Sequence, residues 1–351
     1  MLSARRQAIL RSIVEQYIAR AVPVPSRYVV DQYKLDVSSA TVRNEMAYLE
    51  DEGYIIRPHT SAGSIPSDKG YRYYVESLHN ISLSTSDRFL IDHLFHQVEE
   101  EVQSWLSLAA TLLARLTQNV AVVSMPKPEG SRFKHVELVG LQDQMALIVL
   151  VLYGARVKQQ LVAFPEPVEQ PQLSAISNKL NALYFGLNRE QMAAKKTTLS
   201  PIEVAIYNDL MKMMQADEEQ FYEEAYLEGW HFLFGQPEFA QTGQVLALME
   251  LAEHRNLLKT ILPISLHNRG ATVLIGKENE AEAVQNYSIV ISRYGIPGEA
   301  VGTVGVVGPT RMQYARTLSA VEYLSTVLSE LTGELYGRKL DQMRDKTTEA
   351  E

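Results

Sequence analysis

VSSATVRNEMAYLEDEGYI, residues 37–55, opens on two hydroxyls, sets Arg43 beside Asn44, and spaces its apolar residues at Val42, Met46 and Leu49. The pattern predicts a helix capped by Ser38 and running to Gly53. At 100° per residue Val42, Met46 and Leu49 share one side. Ala40, Asn44, Ala47 and Tyr48 take the opposite side, with Thr41 and Arg43 on the flanks. A helix that only fills a core shows a broader apolar stripe. Here the small residues Ser39 and Ala40 permit close approach to another body, and Asn and Arg match the edges of adenine and guanine in a major groove. The free N–H groups at the helix start favour phosphate. This is the arrangement of a recognition helix in a helix-turn-helix.

Working outward, Ile9, Ile13 and Tyr17 recur every four residues beside Leu10 and Val14, which predicts a first helix from about Ser3 to Arg20 with Arg5, Arg6 and Arg11 on its polar side. Pro23 and Pro25 break the chain, and Ser26 is placed to cap a short second helix that carries Arg27 and buries Val29, Val30 and Tyr33. Beyond Gly53, Tyr54–Arg57 and the segment near Ile65 read as two strands around a polar tip, the second shortened by Pro66. A two-stranded flap behind a recognition helix makes the unit a winged helix. Its tip offers His59, Thr60, Ser61 and Ser64 to phosphate oxygens, and Lys69 and Arg72 follow on the next helix. Tyr71, Tyr73 and Tyr74 read as core between head and body, because a Tyr ring gains most by burial.

Composition limits the partner. The 351 residues suffice for two or three domains, and the absence of cysteine excludes disulfides, thiolate zinc sites and a cysteine nucleophile while fitting a cytoplasmic location. MLSARRQAIL does not read as a signal peptide, and the longest apolar run, MALIVLVLY at 145–153, falls short of the ~20 residues that span a bilayer, so no membrane partner is expected. Net charge is −9 but uneven: residues 1–78 hold 10 Lys+Arg against 9 Asp+Glu, leaving 23 against 33 for the rest. An acidic body with a neutral head permits DNA contact only through the head.

In the body, Phe89, Leu90, Leu94, Trp105, Leu108 and Leu112 predict one or two connecting helices. Strands are expected at Val120–Met125, Val136–Leu141, Ala146–Tyr153 and Val157–Phe164, with a turn at Gly154-Ala155, as in a sheet covered on one side. Residues 169–262 read as helical, from Leu173, Ile176, Leu180 and Leu183 to MELAEHRNLLKTIL; strands return at Thr272–Ile275, Tyr287–Arg293 and through VGTVGVVGP before a last helix from Tyr314 to about Leu335. Strands, helices and strands again indicate an insertion into a sheet domain. Gly302, Gly305 and Gly308 fail both the Rossmann and the P-loop spacing and read as a β-turn. His93 and His96 share a helix face but lack a third ligand for zinc, and no nucleophile–base arrangement or carboxylate pair stands out, so neither enzyme activity nor a cofactor is expected.

Across LSARRQAIL (2–10), VSSATVRNEMAYLEDEGYI (37–55), PHTSAGSIPSDKGYRYYVESL (58–78) and YGIPGEAVGTVGVVGPTRMQYARTLSAVEYLS (294–325), the chain closely resembles the HrcA-type heat-inducible transcription repressors of bacteria. The resemblance implies an α+β protein with an N-terminal winged helix-turn-helix, a GAF-like antiparallel-sheet domain and a helix-rich inserted dimerisation domain. Mapped on this chain, 1–78 is the head, 79–165 with 263–340 the GAF-like domain and its connecting helix, 166–262 the insertion and 341–351 a tail. It further implies a homodimer on an inverted-repeat operator in double-stranded DNA, repression of chaperone operons, release on heat stress and modulation by a GroEL-type chaperonin. The family's wing carries Arg where this chain has Ser64, so the charged wing contact implied by the family is missing here. Two other readings are a winged-helix regulator sensing a metabolite in its GAF-like domain, and an adaptor that uses its winged helix for protein contact.

Overall fold

The computed structural model describes residues 2–33, 39–59, 62–79, 81–98, 101–126, 131–153, 156–220, 225–239, 270–297 and 299–335. The chain divides into two compact units, one from Met1–Ser124, Ala225–Tyr294 and Thr303–Leu331, the other from Met125–Glu224, Gly295–Gly302 and Thr332–Glu351.

The first unit begins with the head. Helix α1 (Ala4–Arg20) is capped by Ser3, buries Ile9, Leu10, Ile13 and Val14, and stops at Ala21 in the left-handed region. Helix α2 (Ser26–Tyr33) buries Val29. Ser26 is its first helical residue and not its cap: Pro25 fixes the turn, and the Pro25 carbonyl accepts from the Tyr28 N–H at 3.0 Å. Helix α3 (Ser39–Asp51) buries Val42, Met46 and Leu49 as the spacing requires. It ends two residues before Gly53, which adopts φ +75° while the Tyr54 N–H bonds back to the Leu49 carbonyl at 2.8 Å. The flap is β1 (Ile55–Ile56) antiparallel to β2 (Ile65–Pro66), followed by α4 (Asp68–Glu76) capped by Ser67. The two connecting helices are α5 (Thr85–Gln97) and α6 (Val102–Thr117).

The sheet of this unit has the order β7-β3-β10-β9-β8, from β3 (Val120–Ser124), β7 (Ala225–Glu228), β8 (Thr272–Ile275), β9 (Tyr287–Ile296) and β10 (Ala300–Pro309). The short helix α10 (Trp230–Phe234) follows β7, and α11 (Tyr314–Leu335) closes the described chain. Gly302, Gly305 and Gly308 form no turn: all lie in the fully buried β10. A Cβ on Gly305 would sit 2.8 Å from the Val290 carbonyl oxygen, and one on Gly308 would collide with the Asn119 side chain. Among the described residues no helix is long and apolar enough to cross a membrane, and no group of three His, Asp or Glu is placed to hold a metal ion.

The second unit holds a sheet of its own. Of the four strands expected between 120 and 164, only β3 belongs to the five-stranded sheet; β4 (Phe133–Gln142), β5 (Met145–Leu152) and β6 (Arg156–Ala163) form a separate antiparallel meander. It carries α7 (Gln170–Tyr184), α8 (Arg189–Ala194) and α9 (Pro201–Gln220), whose Leu173, Leu180, Met192, Ile206, Leu210 and Met214 share one core with Val136, Leu138, Ile148 and Leu150. The compact unit that holds α7, α8 and α9 thus also holds the meander, its longest stretch running from Met125 to Glu224. Within the stretch expected to be helical, AYLE (225–228) is β7, paired with β3 from Ala121↔Glu228 to Ser124↔Ala225. Alternation reveals which faces of a strand are buried but not which strand it pairs with. The expected Gly154-Ala155 turn, the MELAEHRNLLKTIL helix and the tail 341–351 lie outside the described residues.

The edge of β4 is closed by side chains. Asn181 accepts from the Val136 N–H at 2.8 Å and donates to the Val136 carbonyl at 3.0 Å, and Gln170 does the same for Gly140 and Leu138. At the start of α9, Glu203 Oε2 accepts from the Ser200 N–H at 2.7 Å and from Lys179 Nζ at 2.8 Å, and these contacts, the Lys179 bond foremost, hold the carboxyl below its ordinary range. A carboxylate whose folded pKa is lowered contributes stability above its unfolded value and loses it as pH falls through the folded one. Glu203→Gln is accordingly expected to cost about 1 kcal/mol near neutral pH, with the difference from wild type shrinking under acid, as read by urea unfolding at pH 7 and pH 3.

Candidate nucleic-acid interface

The head presents one side of α3 to solvent. Ser39, Ala40, Arg43, Asn44 and Ala47 are exposed, and Thr41 is half-buried at the flank. Their backbone is held by Val42, Met46 and Leu49 against α1 and α2, so the outward set sits on a rigid element. Two of the acids of α3 that would oppose a polyanion, Glu45 and Glu50, are matched by nearby arginines. Glu45 accepts from Arg6 Nε at 2.7 Å and lies 3.7 Å from Arg5, and Glu50 pairs with Arg57 at 3.0 Å. The Glu45 bond raises the already high pKa of Arg6. The Arg6 guanidinium also lies 3.4 Å from the centre of the Tyr48 ring, so Tyr48, exposed at 36%, is part of a stacked pair and not a free contact. Arg5 thus joins the neighbourhood of α3 from forty residues away, a proximity without any local sequence signal.

Other expected contacts divide. Arg27 and His59 are exposed. Lys69 is exposed at the start of α4, with Nζ 2.7 Å from the Glu52 carbonyl oxygen and 4.3 Å from the Tyr54 ring centre. Ser38, Thr60 and Ser61 lie outside the described residues.

Two expected contacts are overturned. Ser64 is only 1% exposed; its N–H and carbonyl pair with Val24 at 2.9 and 2.8 Å, making a third strand-like layer of the wing, so it presents no atom to a duplex. A single bridged residue has no periodicity by which the sequence could reveal it. Ser64→Arg is expected to lower the stability of the head by about 1–3 kcal/mol, seen as a reduced melting temperature in calorimetry, because a guanidinium must be forced into packed surroundings or the Val24 pairing must open.

Arg72 is likewise spent within the protein. It donates through Nε to Glu278 Oε1 at 2.8 Å and through Nη2 to the Val273 carbonyl at 2.6 Å and to Glu278 Oε2. One helical turn earlier, Asp68 accepts from the Lys277 N–H at 3.0 Å, against a Gly276 whose φ of +54° and lack of Cβ leave room for the carboxylate. Tyr71, between them on α4, is buried 5.8 Å from the Tyr314 ring of α11, as expected for core between head and body. Helix α4 is thus the seam of the unit. His93, one of the two paired histidines, stacks on Phe89 and contacts Gln97 at 3.1 Å.

A profile of the HrcA protein C-terminal domain matches residues 103–318. The chain belongs to the HrcA family. HrcA relatives named "Heat-inducible transcription repressor HrcA" include one from Dehalococcoides mccartyi, 53% identical over 338 residues that cover 96% of this chain and 98% of the relative. Another, from Herpetosiphon aurantiacus, is 40% identical over 346 residues, covering 96% and 97%. A solved structure titled as a hypothetical protein aligns with a TM-score of 0.58 at 23% identity over 95% of this chain and 99% of that one, which shows a shared fold. These relatives are regulators by name, and the α+β architecture of winged head and antiparallel sheets agrees with that class.

Proposed function

We propose that this protein is a sequence-specific, heat-inducible transcription repressor that binds double-stranded DNA through α3. The observation that carries the reading is the outward row of Ala40, Arg43, Asn44 and Ala47 on a helix pinned from behind, in a chain of the HrcA family. The names of the relatives support repression of heat-inducible genes.

The functional unit is a homodimer on an inverted repeat. A head near electrical neutrality binds DNA weakly by itself, and two heads held together gain from effective concentration. The second unit supplies a surface for this. While one face of its meander is covered by helices, the other carries Val139, Leu147 and Leu161 side by side across three strands, with Val151 beside Val157. Val139 is 40%, Val157 53% and Leu161 58% exposed, an apolar sheet face of the kind that marks an interface. The family resemblance supports this inserted unit as the dimerising one, chaperone operons as the targets, and a GroEL-type chaperonin as the modulator. A gel shift and footprint of the full chain on the region upstream of a chaperonin operon, with and without chaperonin, tests the reading; a protected palindrome is expected, and its absence at every salt concentration would reject it.

A further inference from the structure

Within the first unit, a cavity of about 350 Å³ opens where the last turn of α1 meets the end of α6, α10 and the loop before α11. Its ionisable described liners are Arg311 and His231; no described carboxylate lines it, in a chain of net charge −9. Four side-chain amides, Gln118, Asn119, Gln236 and Gln313, surround it, and Phe232, with its ring 4.0 Å from that of His231, supplies a flat apolar wall. The volume is in the range of small-molecule sites, and the mostly polar lining suits a polar ligand.

Arg311 decides the chemistry. Of the five N–H groups of a guanidinium, Nε and one on Nη2 go to Glu238 at 2.5 and 3.2 Å, and one on Nη1 goes to the Ile18 carbonyl at 2.8 Å. Among the described residues, one N–H on each terminal nitrogen is left without an acceptor, and such donors suit a carboxylate or phosphate. We propose that this cavity binds a small organic anion with a flat body, its carboxylate or phosphate on Arg311 and its ring against Phe232, and that occupancy alters operator affinity. A route toward α3 runs along α1. Arg311 holds the last turn of α1, and α1 holds α3 through Arg6 and Glu45. By linkage, a ligand that changes the set of α1 changes operator affinity by the same factor as the operator changes the ligand's.

The test uses the full chain with benzoate, phenyl phosphate and the neutral benzyl alcohol, followed by saturation-transfer NMR and calorimetry. At least one anion is expected to bind with a Kd of about 1 mM or tighter and benzyl alcohol about tenfold more weakly. Benzoate alone would identify a carboxylate ligand and phenyl phosphate alone a phosphate ester. Gln313→Trp, which fills the cavity, and Arg311→Lys, which keeps the charge but loses the fork, are each expected to weaken binding at least about tenfold. No binding of either anion, or equal binding to Gln313→Trp, overturns the site. Saturating the site is expected to shift operator affinity about threefold or more by gel shift; an unchanged affinity overturns the effector role. Only this last arm rests on the DNA-binding reading, so a failure of that reading leaves the binding result standing.

Discussion

Leu147→Lys is expected to convert the protein to a monomer and to lower its affinity for a palindromic operator by about 10²–10⁴-fold, while leaving affinity for an isolated half-site unchanged. Leu147 lies at the centre of the open face of the meander, opposite Val139 on one side and Leu161 on the other. In a dimer built on that face an ammonium at this position is desolvated without a partner. In the monomer the same lysine lays its stem along the two neighbours and leaves its charge in water, so the fold is retained. Light scattering gives the oligomeric state, circular dichroism the fold, and gel shifts on one and two half-sites the affinity. A variant that stays dimeric and binds the palindrome as wild type does would move the interface elsewhere.

Arg43→Ala is expected to cost about 1–3 kcal/mol on the preferred operator and far less on variants altered at the base pair it reads, so that discrimination flattens. Arg43 is exposed on α3 next to the exposed Asn44, ahead of Glu45 and Glu50, both already paired with arginines. Lys69 provides the contrast. At the exposed start of α4, tied to the Glu52 carbonyl and the Tyr54 ring, it is suited to a phosphate, and Lys69→Ala should weaken all sequences alike and lower the salt slope by about 1. Equal losses of specificity in both variants would mean that α3 presents a different face to the groove.

Val42, Met46 and Leu49 and the helix end at Gly53 were legible in the sequence, because each depends on residues within a few positions of one another, whereas the expected cap at Ser26 proved to be the first helical residue. So were the outward positions of Arg43 and Asn44, which follow from helical geometry once the buried side is known. Strand positions were legible for β3–β6 and β8–β10, since alternation and β-branching mark a strand. Sheet membership was not. Nothing local in β3 and β4 says that one joins β7 and β10 while the other turns to β5 and α7, for a strand's partners are chosen across tens or hundreds of residues.

The same division runs through the candidate interface. Residue type alone nominated Ser64 and Arg72, a hydroxyl at a wing and a cation on a head, and the tertiary structure withdrew both. Val24 covers the first, and Glu278, 206 residues further along the chain, takes the second. The amino-acid sequence by itself determined the winged head, its helix α3 and which side of that helix is buried. Only the tertiary structure decided which of the head's polar groups remain available to DNA, because a hydrogen bond or an ion pair is satisfied by whatever the fold brings within reach, and that neighbour is set by the packing of the whole unit.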